Sequence, residues 1–313
     1  MQANGLVFQL PETFLIELLN EWLEFPDLVK IDSACCEYSS RSALHCAQKH
    51  LTLKGHVISP HFTSADMSSF ANWILQRNIR LRSISIFLEF NSIDSMKLFD
   101  LCKDSVTSLF IGNLSNTLLT IAAAKCSNLK QIEIMSSDFD DVPNITETLD
   151  LLLYSARLSL QELHLTYAML ETMGNYQLPA LRTLTFNFIA PRNTQGILPL
   201  MQASPNLHTL VQRVVGSTPL LECINNLCSL PLLQLRCLVI QCSWYNEEVP
   251  LELLLGHLKG LEVASFLICP GLCEACCRLL LKNNPSLYAL CVHSSFFGTI
   301  QGIKLINVHC GRT

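Results

Sequence analysis

Charged residues are scarce in this 313-residue chain, since Asp, Glu, Lys and Arg make up only 15% of it, against roughly 25% in an average soluble domain. Glycine is also scarce, with 12 residues, which excludes collagen-like and glycine-rich low-complexity proteins. The formal net charge is −5, which argues against nucleic acid as a partner. Half of the residues are hydrophobic, which excludes a disordered chain.

Long apolar runs are absent as well. The longest stretch without Asp, Glu, Lys or Arg is 283–303, and it contains Asn283, Asn284, Pro285, His293 and Gln301. A membrane-spanning helix needs about 20 predominantly apolar residues, so this stretch is too polar. The N-terminus has no basic segment followed by a long apolar run, so we expect no secretory signal. We expect no membrane partner and a cytoplasmic or nuclear location.

Catalytic motifs are also lacking. The chain contains no phosphate-binding glycine loop, no H-E-x-x-H and no G-x-S-x-G, the motifs that would indicate common enzyme classes. We therefore expect no enzymatic activity, no cofactor and no metal site. The 15 cysteines are expected to be buried thiols, because the C-x-x-C from Cys273 to Cys276 is not followed by the second pair of a zinc site.

Leucine is what the chain has in excess, with 58 residues. The motif L-x-x-L-x-L, with Ile, Val, Phe or Ala tolerated, recurs at intervals of 21 to 31 residues. Its nine copies begin at Leu81, Val106, Leu129, Leu160, Leu181, Leu207, Leu235, Leu261 and Leu287. Such self-similarity indicates stacked structural units that share one core.

Each copy of the motif predicts a strand followed by a helix. Alternate side chains of a strand lie on one face, so the fourth and sixth positions point into the core together. About 15–20 residues separate successive strands, which is enough for one helix. Apolar residues at helical spacing, such as Leu149, Leu152, Leu153 and Ala156, predict that helix.

This pattern resembles the leucine-rich-repeat family over about residues 50–300. The resemblance implies an α/β fold, a right-handed leucine-rich-repeat solenoid (horseshoe) with a parallel concave sheet and convex helices. About nine to ten repeats would form a domain over residues 51–313. The position that usually holds Asn or Cys fits the family only at Cys269. Because no polar closing helix follows, we expect the last layer, Leu287 to Val292, to be exposed.

Residues 1–50 have a helical pattern instead. Leu10 and Pro11 predict the start of a helix, whose apolar face is too wide for a solvated helix. Pro26 predicts a break, and a second helix is expected to begin with Leu28. The first 50 residues therefore predict a separate helical segment.

The order of these residues is similar to the F-box motif. The family opens with Leu-Pro, continues with L-L-x-x-x-L and D-L, and ends in a Cys-basic-aromatic stretch. Here Glu37 and Tyr38 replace a basic residue and a tryptophan of that stretch. The resemblance implies a small all-α F-box-like segment that binds a Skp-family adaptor through apolar side chains. The candidate residues are Leu10, Pro11, Leu15, Leu18, Leu19, Trp22, Leu23, Leu28 and Val29.

An F-box followed by leucine-rich repeats implies the substrate-receptor subunit of a Skp–cullin–F-box ubiquitin ligase. In that family the adaptor joins the receptor to the cullin complex, the repeats bind a protein substrate, and catalysis belongs to the partner E2. Residues that flank the inward leucines form the concave face. The candidate substrate-binding residues there are Phe87, Phe110, Glu133, Glu162, His164, Asn187 and Arg213.

The ubiquitin-ligase receptor and a leucine-rich-repeat scaffold both stay open as interpretations at this point. A solenoid exposes its first hydrophobic layer, so the N-terminal helices of a leucine-rich-repeat scaffold or regulator could serve only as a cap. The deciding observation is whether their apolar residues line a surface groove or are buried against Leu51 and Leu53. The late concave positions Cys237, Val239 and Val263 are apolar, which indicates either a binding surface or a shift of register.

Overall fold

The chain contains both helices and strands in this structure, which is a computed structural model. It describes residues 10–22, 25–35, 38–53, 64–86, 92–112, 115–134, 145–166, 176–188, 197–215, 228, 234–243, 251–267, 269, 272, 274–293 and 304–307. Two compact units divide the chain, Met1–Ser159 and Leu160–Thr313. Both contain parallel strands, so the predicted α/β class with a parallel sheet is confirmed.

The first unit begins with three helices and continues with strands and helices in alternation. Its elements are α1 Glu12–Trp22, α2 Phe25–Ala34, α3 Tyr38–Gln48, β1 Thr52–Leu53, α4 Ser64–Arg77, β2 Arg80–Leu81, β3 Ser83–Ile86, α5 Ser92–Cys102, β4 Ser108–Ile111, α6 Asn116–Lys125, β5 Gln131–Ile134 and α7 Ile145–Ala156. Strand β1 pairs with β2, and β3, β4 and β5 pair in that order, all parallel. The second helix begins at Phe25, three residues before the predicted start, because proline is tolerated in the first turn of a helix.

The second unit contains more strands than helices among its described residues. Its elements are β6 Glu162–Thr166, β7 Thr183–Phe188, α8 Ile197–Gln202, β8 Thr209–Val215, β9 Cys237–Ser243, α9 Leu251–His257, β10 Val263–Leu267, α10 Glu274–Asn283, β11 Ala289–His293 and β12 Lys304–Asn307. Strands β6 to β11 pair in sequence order and are parallel. Strand β12 pairs with β11 and is antiparallel.

The end of the second unit corrects one expectation from the sequence. Leu287 and Leu290 are each only 1% exposed, whereas Val292 is partly exposed, so the expected exposure of the last layer is wrong for its two leucines. Strand β12 lies beside β11, and Ala289 of β11 is in register with Asn307 of β12. The antiparallel strand therefore supplies the edge partner that the motif periodicity did not predict.

The buried positions of the motif form rows across neighbouring strands. In the first unit Ile84, Leu109 and Ile132 are in register, and each is at most 1% exposed. The second unit has a corresponding row, with the same low exposure, formed by Leu163, Leu184, Leu210, Leu238, Ala264 and Leu290. Full burial of one leucine stabilises a fold by about 2–3 kcal/mol, so these rows form a large part of the core of each unit.

Polar side chains at the helix-to-strand turns join each motif copy to the previous one. The Ser105 hydroxyl donates a hydrogen bond to the Leu81 carbonyl at 2.9 Å. The Asn284 side chain donates to the Leu258 carbonyl at 3.3 Å and accepts from the Leu261 backbone N–H at 2.8 Å. Buried backbone groups need such partners, so these residues fix the spacing between copies.

No helix in the described ranges combines the length and the apolar character that a membrane span requires.

Candidate functional site

One side of helix α1 is buried in the first unit. Leu15 is 3% exposed and Leu19 is 1% exposed, and Leu28 of α2 is fully buried. The Thr52 backbone N–H donates a hydrogen bond to Asn20 Oδ1 at 2.8 Å, which ties α1 to β1. Three of the predicted adaptor-binding leucines, Leu15, Leu19 and Leu28, are therefore core residues of the first unit.

An adjacent face of α1, continued by Pro11 just before the helix, remains in solvent. Pro11 is exposed, Phe14 is 53% exposed and Leu18 is partly exposed. Their spacing of three and four residues places them on one face of a helix, and we name these three residues the α1 stripe.

The other predicted adaptor-binding residues have separate placements. Leu10 and Val29 are partly exposed. Leu23 lies outside the described residues, and so does the side chain of Trp22.

A buried carboxylate connects the N-terminal helices to α4. Asp32 of α2 is 5% exposed. Its Oδ2 accepts hydrogen bonds from Arg77 Nη2 at 2.5 Å and from Trp73 Nε1 at 3.2 Å, and His45 Nε2 of α3 lies 3.6 Å from its Oδ1. The Arg77 guanidinium also stacks over the Trp73 ring at 4.5 Å. This cluster connects α2 and α3 to α4.

The strand residues that alternate with the core residues form a second face of each sheet, which we name the outer face. In the first unit Phe110 and Glu133 are in register on this face, and both are partly exposed. Phe87 lies outside the described residues. Two of the predicted substrate-binding residues are therefore neighbours in the first unit.

In the second unit the predicted binding residues lie on the outer face of β6 to β8. His164 Nε2 lies 3.9 Å from Glu162 Oε2 on the same strand. Asn187 and Arg213 are in register on β7 and β8, and Arg213 is exposed. Thr185 lies beside His164 and is only 4% exposed. Strands β6 and β7 therefore present a polar outer face.

The late apolar positions lie on this same face, so the register does not shift. Cys237, Val263 and Ala289 are in register, and so are Val239, Ser265 and Cys291. We name the partly exposed apolar residues of this region the apolar patch. They are Val211, Cys237, Val239, Val263, Leu267, Ala289 and Cys291.

A polar cavity lies at the amino ends of strands β8 to β10. Its volume is about 310 Å³, and its lining residues are His208, Gln234, Arg236, Gly260 and Glu262. Arg236 Nη1 lies 3.1 Å from Glu262 Oε1, and Gly260 has a positive φ of 85°, a conformation that favours glycine. We name this space the amino-end cavity.

Sequence reasoning missed the charged residues around this cavity. Each follows the first leucine of a motif copy, as Arg236 follows Leu235 and Glu262 follows Leu261, and Arg182 takes the same position in an earlier copy. The Arg182 carbonyl accepts hydrogen bonds from the N–H groups of His208 and Thr209, so the second positions of neighbouring copies lie side by side. The recurrence of a basic residue at this position in several copies could have indicated these residues from the sequence.

The expectation of buried thiols holds for six of the described cysteines, but Cys46 is exposed and four others are partly exposed. Cys102 and Cys126 are buried, and burial raises the pKa of the Cys102 thiol to about 11 and that of Cys126 to about 12. Cys242 and Cys269 lie 3.5 Å apart through their sulfur atoms, and this hydrogen bond, with burial, raises the pKa of Cys269. The described part of the chain contains no group of three or more side chains that could hold a metal ion.

Cys269 also occupies the motif position where the repeat family places Asn or Cys. Its thiol donates to the Ile240 carbonyl at 3.4 Å. Because Ile240 belongs to the preceding strand, this bond joins neighbouring copies of the motif.

Comparisons with known proteins place few limits on function. No protein-family model matches the sequence, and no curated protein matches it. Among solved structures, the crystal structure of the Rad7 and Elc1 complex in yeast contains a chain with 13% sequence identity and a TM-score of 0.32. The match covers 79% of this chain and 88% of that chain. We draw neither fold nor function from so distant a similarity.

Proposed function

We propose that this chain is a protein-interaction subunit that serves as the substrate receptor of a Skp–cullin–F-box ubiquitin ligase. In this role α1, α2 and α3 form an F-box-like segment that binds a Skp-family adaptor, and the adaptor connects the chain to the cullin complex. The strand–helix copies act as a leucine-rich-repeat solenoid that binds a protein substrate. Ubiquitin transfer belongs to the partner E2, so the chain itself has no catalytic residues. Such a complex would act in the cytoplasm or the nucleus.

The observation that carries this proposal is that α1 has exposed apolar residues beside its buried ones. Leu15 and Leu19 are buried, yet Phe14 keeps 53% of its surface in solvent. Exposed apolar residues that form one patch are typical of protein-binding sites. We infer that the α1 stripe contacts the adaptor, while the buried leucines hold its shape.

A titration of the full chain with a purified Skp-family adaptor tests this proposal. Phe14→Asp places a charge in the α1 stripe and should lower adaptor affinity at least about tenfold, as expected for a central apolar contact. Leu158→Asp is the matched control, because Leu158 is 73% exposed in the same unit, and it should bind like the native chain.

Two outcomes would contradict the adaptor-binding role. One is equal adaptor affinity of the Phe14→Asp variant and the native chain. The other is no adaptor binding by the native chain when a known F-box protein binds under the same conditions. Circular dichroism of each variant separates lost binding from lost folding, and Phe14 is exposed enough for the fold to tolerate the change.

The second candidate function is a leucine-rich-repeat scaffold or regulator in which the N-terminal helices only cap the repeats. The burial of Leu19 and the hydrogen bond between Thr52 and Asn20 favour it, since a cap must cover the first strand. A native chain that is folded and binds no adaptor in the same titration would support this candidate.

A further inference from the structure

Packing of the core does not require the apolar residues of the apolar patch. A sheet that packs on one side needs apolar residues on that side only. The core positions Leu238, Ile240, Ala264 and Phe266 are at most 1% exposed, so they already fill this requirement. The apolar patch on the outer face of β8 to β11 is therefore additional apolar surface, interrupted by the polar residues Thr209, Gln241 and Ser265 on the same face.

The neighbouring part of the same face is polar. Glu162, His164, Thr183 and Asn187 occupy the equivalent positions on β6 and β7. Since both parts belong to one unit with one strand register, the difference lies in the side chains and not in the backbone. A change from polar to apolar side chains on one face is typical of a surface that a partner covers.

Arginine borders the apolar patch at both ends of the strands. Arg213 is exposed at the carboxyl end of the β8 outer face, while Arg182 and Arg236 precede β7 and β9 and are also exposed. Glu262 is the acidic residue paired with Arg236. In a chain whose net charge is −5, the three arginines and one glutamate found at this patch among the described residues favour an acidic partner.

The amino-end cavity adds a place for one acidic side chain. His208, Arg236 and Glu262 line the cavity and directly precede Thr209, Cys237 and Val263, the first outer-face residues of β8, β9 and β10. Its volume of about 310 Å³ accommodates a side chain. A carboxylate that enters it would compete with Glu262 for the Arg236 guanidinium.

We propose that the outer face of β8 to β11 binds an acidic amphipathic segment of a protein partner, with apolar side chains on the patch and a carboxylate in the amino-end cavity beside Arg236. Side chains at positions i and i+4 of a helix are about 5–6 Å apart, and neighbouring strands are about 4.8 Å apart. A helix that crosses the strands therefore places successive apolar residues over successive strands. This proposal rests on the substrate-binding role given to the strands above and specifies the chemistry of the substrate.

Two synthetic peptides test the proposal with the full chain. Both are amphipathic helices with leucine at positions i, i+4 and i+7; one has glutamate at its ends and the other has glutamine. The acidic peptide should bind about tenfold more tightly, an effect of roughly 1.4 kcal/mol, and the preference should weaken as salt is added.

Two substitutions in the amino-end cavity should change the affinity for the acidic peptide in opposite directions. Arg236→Gln should reduce affinity for the acidic peptide to that for the glutamine peptide. Glu262→Gln removes the competing carboxylate and should raise affinity for the acidic peptide about threefold. Lys282→Gln is the control, because Lys282 is exposed on α10 and should have no effect. A purely structural role of the Arg236–Glu262 pair would change binding in the same direction for both variants.

Several results would overturn the proposal. They are equal affinity for the two peptides, no binding of either peptide, or a decrease for Glu262→Gln as large as that for Arg236→Gln. The adaptor titration shows whether the ligase role or the binding of an acidic segment has failed. Failure of adaptor binding with a preserved acidic preference would refute the ligase role alone, and the reverse result would refute the acidic segment alone.

Discussion

Two apolar surfaces of the protein differ in the charges around them. The α1 stripe lies on a helix with three glutamates and no lysine or arginine. The apolar patch is bordered by Arg182, Arg213 and Arg236 instead. Because surrounding charge selects partners of opposite sign, the two surfaces suit partners of different charge.

The two surfaces also arise from different periods. On α1 a helical period separates the buried Leu15 and Leu19 from the exposed Phe14. On β9 a period of two separates the buried Leu238 from the partly exposed Val239. In both regions a surface residue is a sequence neighbour of a core residue, which allows substitutions that change one and leave the other.

The largest expected effect is a loss of stability on substitution of the core residue Leu238 of β9, compared with its surface neighbour Val239. Leu238→Ala should destabilise the chain by about 4 kcal/mol, because it removes buried methyl groups and leaves a cavity. Val239→Ala, next to it on the outer face, should cost only about 1 kcal/mol and should weaken binding of the acidic peptide. Urea unfolding measures the first quantity and peptide titration the second. Equal losses of stability would show that Val239 belongs to the core.

The sequence alone predicts one part of the second unit better than another. The motif period predicts that Leu238 and Ala264 face the core, because alternation along a strand is a local property. It also shows that Val239 and Val263 are apolar. It does not predict the amino-end cavity, because the two charged residues that pair there are 26 residues apart in sequence and meet only through the pairing of β9 with β10.

In the N-terminal helices, too, the sequence does not predict contacts between residues that are distant along the chain. Leucine spacing predicts α1, but not which side is buried, because that depends on where β1 and α3 lie. The Asp32 cluster also escapes sequence reasoning, since Asp32 and Arg77 are 45 residues apart and neither belongs to a motif. The side chains that pack by period are predictable, and those that pair across elements are not.

A second prediction concerns Asp32→Ala, which should affect the α1 stripe and leave the apolar patch unchanged. Asp32→Ala leaves Arg77, whose side chain is 14% exposed, without its carboxylate partner. Loss of one partner of a largely buried ion pair costs about 3 kcal/mol. We expect lower stability in urea, followed by tryptophan fluorescence because Trp73 donates to Asp32, and weaker adaptor binding with unchanged binding of the acidic peptide.

Asp100→Ala is the matched control for this prediction. Asp100 pairs with Lys125 at 2.6 Å, but both side chains are at least 36% exposed. Exposed pairs contribute about 0–1 kcal/mol, so this variant should unfold close to the native chain. A similar change in both variants would mean that the Asp32 cluster does not hold the N-terminal helices.

The smallest expected effect is a change in thiol reactivity, and it tests whether the apolar patch is the surface that a partner covers. Cys46 is exposed on α3, Cys237 and Cys291 are partly exposed on the patch, and Cys102 is buried. The thiolate is the reactive form. Because burial raises the pKa of Cys102 to about 11, this thiol should resist iodoacetamide at pH 8 and react only after unfolding.

Burial also raises the pKa of Cys237, so its alkylation should be slower than that of Cys46 and should speed up as the pH rises. A bound acidic peptide should slow the alkylation of Cys237 and Cys291 a few-fold and leave Cys46 unchanged, since Cys46 lies on α3 in the first unit. Peptide mapping by mass spectrometry gives the rate for each residue. Protection of Cys46 together with the two patch cysteines would indicate a general stabilisation of the chain, whereas protection confined to Cys237 and Cys291 would place the peptide on the patch.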